Sequence, residues 1–197
     1  MPNRISTVAL PPLRTYGDPI LRRKAAPVGQ ITREVADFAA VMMDAMIEYD
    51  GVGLAAPQIG RSLRLVVINT ALAKPGPAPL SPGEMLLNPR MPVVLINPEI
   101  LSAGAETATV EEGCLSLPGI HGDVTRPQTI VLRARLLDGE SIELPCAGML
   151  ARCAQHEIDH LDGIVFSDRL SDAGFAEVEP ALKALEKQTR RDLKRHG

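Results

Sequence analysis

The chain reads as an α+β protein, with small antiparallel sheets packed around one buried helix, a long helix near the start and another at the end. Three observations lead there. Apolar residues recur at three-to-four spacing over 32–50, 148–161 and 172–195, whereas 63–69, 93–97, 107–111 and 129–144 carry short apolar or β-branched runs. Asp138-Gly139, between two such runs, is a hairpin signal, so neighbouring strands should run antiparallel. With 197 residues, 45% hydrophobic, and neither a composition break nor an internal repeat, the chain is expected to form a single domain spanning 1–197.

Residues 1–30 are Pro-rich, with Gly17-Asp18-Pro19 and Ala26-Pro27 as turn signals, and read as an arm laid over the domain. Thr32 caps a helix whose apolar face is Val35, Phe38, Ala39, Met42, Ala45, Met46 and Tyr49, and Gly51 stops it. The methionines there read as core. Gly51 to Gly60 formally matches Gly-x-Gly-x-x-Ala. A helix precedes it, however, Pro57 interrupts it and the strand Leu63–Asn69 follows, the reverse of a dinucleotide site. It reads as a loop whose glycines let backbone approach a ligand, with the Gln58 amide as an oriented donor. The segment 71–92 holds six prolines among Ala, Gly and Ser and is expected to be a long loop without regular structure. Strands follow at Val93–Asn97 and Thr107–Glu111, then the hairpin 129–136 with 141–144. Gly148–Leu161, with Met149, Leu150, Ile158 and Leu161 and no proline, reads as a mostly buried helix. Ile164–Phe166 is expected to be a short strand, and 172–197 a solvated helix with the narrow stripe Leu182, Leu185, Leu193.

The net charge of −3 has no dominating block of one sign, which points away from DNA or a membrane as partner and toward a substrate. No apolar run approaches the ~20 residues of a spanning helix, and the first residues lack the apolar core of a signal peptide. Three cysteines are too few and odd in number for a disulfide framework, so a reduced, cytoplasmic setting is expected.

Chemistry concentrates in Gln155-His156-Glu157-Ile158-Asp159-His160. Residues four apart on a helix share one face, so His156 and His160 can aim at one ion, and Glu157 falls beside it as a proton carrier for a water. This His-Glu-x-x-His pair makes 148–161 the expected central metal-binding helix. A catalytic site usually takes three protein ligands and keeps one position open. Asp162, Asp168 and Asp172 lie downstream as ordinary turn residues. Cys153, one turn before His156, would sit about 7.5 Å along the axis from an ion held between the histidines, too far for its side chain. Cys114, in the turn Glu112-Gly113-Cys114-Leu115-Ser116, is the favoured third ligand. A thiolate with two imidazoles suits iron(II), zinc, nickel or cobalt.

Gly51-Val52-Gly53-Leu54-Ala55-Ala56-Pro57-Gln58, Glu112-Gly113-Cys114-Leu115-Ser116 and Gln155 to His160 resemble, in order, the three signature motifs of the peptide deformylase family. The similarity runs from about Leu13 to Leu170. It implies hydrolysis of the formyl group from the N-formylmethionine that begins nascent bacterial proteins, a step of protein biosynthesis. It implies Cys114, His156 and His160 as ligands of one divalent ion, iron(II) natively, with zinc, nickel or cobalt as replacements. It makes Glu157 the general base and acid, and gives the oxyanion to the Gln58 side chain and the Leu115 N–H. Substrate would meet Val52, Gly53, Gly113, Met149, Arg152 and Cys153, the Arg152 guanidinium reaching solvent or a substrate carbonyl. Departures are His121, where the family often has arginine, and the length of 71–92. Glu112, Arg126 and Asp159 could back the ligands or form structural ion pairs.

Two rivals differ in kind. A zinc endopeptidase would take its third ligand after the helix, and a catalytically weak or inactive relative would bind N-terminal peptides around a closed metal site. Some deformylases also dock on the ribosome through the C-terminal region. Here Lys183, Lys187, Arg190, Arg191, Lys194 and Arg195 would serve, and removal of 183–197 is expected to spare turnover of a short peptide.

Overall fold

The expected first helix forms as α1, Arg33–Glu48, with the Thr32 hydroxyl accepting from the Val35 N–H at its start. The structure, a computed structural model, describes residues 10–71 and 79–196, the His196 side chain excepted. After α1 come β1 (Gly53–Ala55), β2 (Leu65–Ile68), α2 (Pro82–Leu87), β3 (Val93–Ala103), β4 (Thr107–Gly113) and β5 (His121–Pro127). Then follow β6 (Thr129–Arg135), β7 (Ser141–Ala147), α3 (Gly148–Leu161) and α4 (Asp172–His196). Two sheets result: a five-stranded one in the order β1-β2-β3-β6-β7, and the β4–β5 pair. Every ladder is antiparallel, as the hairpin signal implied.

Strand alternation explains the two cores. On β2 and β3, Val66, Ile68, Val93 and Leu95 face the α3 residues Leu150, Ala154 and Ile158, while Leu65, Val67, Val94 and Ile96 face the α1 residues Ala39, Met42, Ala45 and Met46. The sheet is covered on both faces, so its middle strands read as continuous apolar runs. A third cluster of Leu117, Ile120, Val124, Val165, Phe166 and Leu182 joins the β4–β5 pair to α4. Among the described residues no helix is long and apolar enough to cross a membrane.

Four expectations need correction. Gly51–Gly60, read as a loop, holds the short strand β1, paired to β2, and a 3-10 turn over Ala56–Ile59. Residues 72–78 of the expected loop lie outside the described residues, but 82–87 is helix α2 and Asn88–Arg90 a 3-10 turn. Pro82 stands in the first turn, where its missing N–H costs nothing, and Ser81 and Glu84 cap each other reciprocally. Strand β5 was not foreseen at all. It pairs along the whole of β4, from Thr107 opposite Pro127 to Gly113 opposite His121. Finally, Ile164–Phe166 is not a strand: a 3-10 turn begins at Phe166, and the Asp168 carboxylate accepts from the Val165 N–H at 3.0 Å.

Candidate active site

Helix α3 lies with one face on the larger sheet and the opposite side against β4 and β5, because Arg152, His156 and Asp159 at spacings of four and three share that polar side. His156 and His160 stand edge-on, ring centroids 5.0 Å apart. Cys114, just past the end of β4, brings its Sγ to 3.2 Å from His160 Nε2. One donor atom from each of Cys114, His156 and His160 lies within 4.8 Å of the others. The His156 Nδ1 is 3.0 Å from a Glu112 carboxylate oxygen, which leaves Nε2 as the nitrogen available to a ligand. A thiolate and two imidazoles are a borderline-soft set of the size a tetrahedral zinc, iron(II) or cobalt site takes from its protein, so these residues fit a divalent ion.

Burial sets the electrostatics. It pushes the Glu157 carboxyl up to about 7, against the pull of His156 and Arg126. One Glu157 oxygen is buried without a protein partner among the described residues. Burial and then the positive charge of His156 push His160 well below its ordinary value. Burial would also lower His156, but hydrogen bonds with Cys114 and Glu112 hold it well above its ordinary value. Burial acts on Glu112 as well, yet the hydrogen bonds from His156 and Arg126 prevail and hold its carboxyl down at about 2.

Gly53 is where β1 touches the site. A Cβ there would lie 2.8 Å from Cys153 Sγ and closer still to the Glu157 carboxylate, so only glycine lets the strand pass. The Gln58 amide is fixed in direction: its oxygen accepts from the Ala55 N–H at 2.7 Å, and its nitrogen donates to Ser116 Oγ at 3.2 Å and toward Cys114 Sγ at 3.5 Å. Ser116, fully buried, had no predicted role although it closes the cysteine motif.

A cleft of about 540 Å³ opens onto Cys114, His156 and Glu157, and all six residues expected to meet substrate line it: Val52, Gly53, Gly113, Met149, Arg152 and Cys153. Leu115 and Gln58 line it too. Val52 and Met149 present exposed apolar side chains at its mouth. His121 packs on Gly113, where an added Cβ would come within 2.6 Å of its Nδ1. Arg152 departs from expectation. Its guanidinium is tied inward, donating to Glu112 (2.7 Å), the Ala108 carbonyl (2.7 Å) and the Val124 carbonyl (3.2 Å). Glu112, Arg126 and Asp159 form a buried network that Arg169 extends, with Arg126 bridging the two carboxylates. Arg169 was missed; nothing in its sequence neighbourhood marks it.

The model of the family described as polypeptide deformylase matches residues 10–175. This chain belongs to that family. A peptide deformylase of Picosynechococcus is 43% identical over 162 residues, 81% of this chain and 80% of the relative, and one of Synechococcus is 40% identical over 185 residues, 93% and 86%. Among solved structures, a plant peptide deformylase superposes with a TM-score of 0.81 at 33% identity over 96% of each chain. The Synechococcus elongatus peptide deformylase, solved in complex with actinonin, gives 0.73 at 36% identity over 92% and 89%. Deformylases are metalloenzymes that hydrolyse a formyl amide, and this family member is one of them.

Proposed function

We propose that this deformylase removes the formyl group from the N-terminal formylmethionine of nascent proteins, releasing formate, and that Cys114, His156 and His160 hold the ion it needs. The observation that carries this is the meeting of that donor trio with a buried, half-unpartnered Glu157 carboxylate at the floor of an apolar cleft. A divalent ion, iron(II) natively with zinc, nickel or cobalt able to replace it, would supply Lewis acidity and make water a nucleophile at neutral pH.

The remaining steps belong to side chains. Glu157 takes a proton from the attacking water. As the formyl carbon becomes tetrahedral, the Gln58 amide and the Leu115 N–H donate to the developing oxyanion. Glu157 then passes its proton to the departing amine, the C–N bond breaks, and formate and a free N-terminus leave. Val52, Met149 and Cys153 form the apolar wall for the methionine side chain, with Gly53 and Gly113 giving backbone access. Family membership sets the endopeptidase reading aside.

Anaerobic release of formate from a short formylmethionyl peptide by iron-loaded protein tests the reading, with E157A as control. Release by the parent, lost in E157A while its metal content persists, is expected. Absence of release from metal-replete, folded parent protein would instead favour the peptide-binding relative.

The same reading makes the chain one catalytic domain over 1–197, working in the bacterial cytoplasm on nascent peptides. On α4, Lys187, Arg191 and Lys194 form no ion pair among the described residues, whereas Lys183 pairs with Glu179 and Arg190 with Glu186. We propose this unpaired face as a ribosome contact. Replacement of all three by glutamine should weaken salt-sensitive ribosome binding, and undiminished binding would sink the idea.

A further inference from the structure

The Glu112 carboxylate receives four donors, as many as its lone pairs accommodate. One oxygen takes Arg126 Nε and Arg152 Nη1, both at 2.7 Å; the other faces Arg126 Nη2 and His156 Nδ1, both at 3.0 Å. Arg126 cannot be the whole counter-charge, because its remaining amino group donates to Asp159 at 2.8 Å and so serves a second buried carboxylate. Arg169 completes Asp159 from outside with bonds of 2.6 and 3.2 Å. Arg152 completes Glu112 from inside. It does so from the same helix as His156, one turn away, while its other bonds run to the carbonyls of Ala108 on β4 and Val124 on β5. One guanidinium thus joins the histidine helix, both strands of the small sheet, and the carboxylate against which the His156 ring rests.

We propose that Arg152 is a positioning residue for the metal centre: it fixes Glu112, and through Glu112 the orientation of the His156 imidazole, and makes no polar contact with substrate. Its side chain is 14% exposed and lines the cleft, while its guanidinium is committed to Glu112 and two backbone carbonyls. The proposal rests on the reading of His156 as a metal ligand.

The test uses the full chain loaded with cobalt, comparing the parent with R152M, R152K, E112Q and the double variant R152M/E112Q. Metal affinity is read by chelator competition, coordination by the visible cobalt absorption, and kcat and KM on formylmethionine amide and on a longer formyl peptide. Partners behind ligands typically carry about tenfold or more in metal affinity, so R152M should lose about that much, shift the cobalt spectrum and lower kcat with KM unchanged. R152K should recover most of the affinity. In the E112Q background R152M should add little, because both changes break one chain of contacts. Unchanged affinity and spectrum in R152M, with KM raised for the longer peptide alone, would overturn the proposal in favour of a substrate contact. Additive losses would overturn the route through Glu112. Where R152M does not fold, R152Q carries the same comparisons. H156A separates the two levels: if it binds cobalt with the parent's affinity and spectrum, the ligand reading itself fails, whatever Arg152 does.

Discussion

At the residue scale the three cysteines show how one side chain takes different fates. Cys146 is buried with its thiol pushed up to about 12, chiefly by burial and further by Glu84, and Cys153 is pushed well above the ordinary thiol value by burial and Glu157. At pH 8 a thiol with a pKa near 12 is thiolate roughly once in ten thousand molecules, so neither should alkylate in the folded protein. Cys114 is half-buried and lines the cleft. Iodoacetamide applied to metal-stripped, folded protein should modify Cys114 alone, and added zinc should block it; mass spectrometry of the peptides decides, and prompt labelling of Cys146 would contradict the burial described above. Gln58 gives a second expectation at this scale. Its amide is held by Ala55 and Ser116, so Q58L should lower kcat by about a hundredfold or more while thermal unfolding and metal content stay near the parent's. A change confined to KM would remove Gln58 from the oxyanion. The grouping of Cys114, His156 and His160 was legible in the sequence because helix period and ligand chemistry constrain it jointly: two histidines four apart can share an ion, and few residue types complete the set; the oxyanion role of Gln58 came only with the family resemblance. Arg152 was not legible. Its backbone position put the stem in the cleft, but where a flexible guanidinium ends depends on Glu112, 40 positions away in the chain.

At the element scale the failures have local causes. Strand β5 runs His121-Gly122-Asp123-Val124-Thr125-Arg126-Pro127, with little intrinsic β preference; its ladder to β4 and the burial of Val124 and Arg126 make it a strand. Tertiary pairing decided what propensity could not. Helix α2 is the opposite case, since Ser81-Pro82-Gly83-Glu84 is a capping box with proline in the first turn, and proline content elsewhere in 71–92 hid it. Its cap reaches beyond its own helix. Ser81 Oγ also accepts from the Ala147 N–H at 3.2 Å, and Ala147 is the N-cap of α3. S81A therefore removes an acceptor from the starts of two helices. It should cost about 1–2 kcal/mol, a fall in Tm of roughly 2–8 °C, measured calorimetrically on metal-loaded protein. Peptide turnover at 25 °C should be retained, because no cleft residue moves. An unchanged Tm would mean that the shared cap contributes nothing.

At the scale of the whole molecule, the arm and the last helix hold the site loops together. The Arg14 N–H donates to the Gln58 carbonyl at 2.7 Å and the Tyr16 N–H to the Ser116 carbonyl at 2.9 Å, so two alternate residues of the arm join the glutamine loop to the cysteine loop. The residues between and after them face α4: the Thr15 and Thr189 hydroxyls are 2.7 Å apart, and a Cβ on Gly17 would lie 2.9 Å from the Glu186 Cα. Leu182 is buried in the third cluster, against which Tyr16 and Cys114 also pack. The narrow stripe on the last helix was visible in the sequence, but its destination was not, because contacts 174 positions apart leave no local mark. This placement changes what truncation should do. Removal of 183–197 strips Thr189 and Leu185 from the arm and the third cluster, and removal of 172–197 also takes Leu182 and Val178 out of that cluster. Each buried aliphatic side chain contributes about 1.5–3 kcal/mol, so the longer truncation should lower Tm by roughly 10 °C or more. It should also speed zinc release from the Cys114 side, since the cluster beneath that loop is opened to water. Calorimetry and chelator-driven zinc release on full-length and truncated protein check both. An unchanged Tm with unchanged release would reduce α4 to a surface appendage. The expected loss makes truncation a poor probe of partner binding, for which the Lys187, Arg191 and Lys194 replacements leave the buried stripe intact.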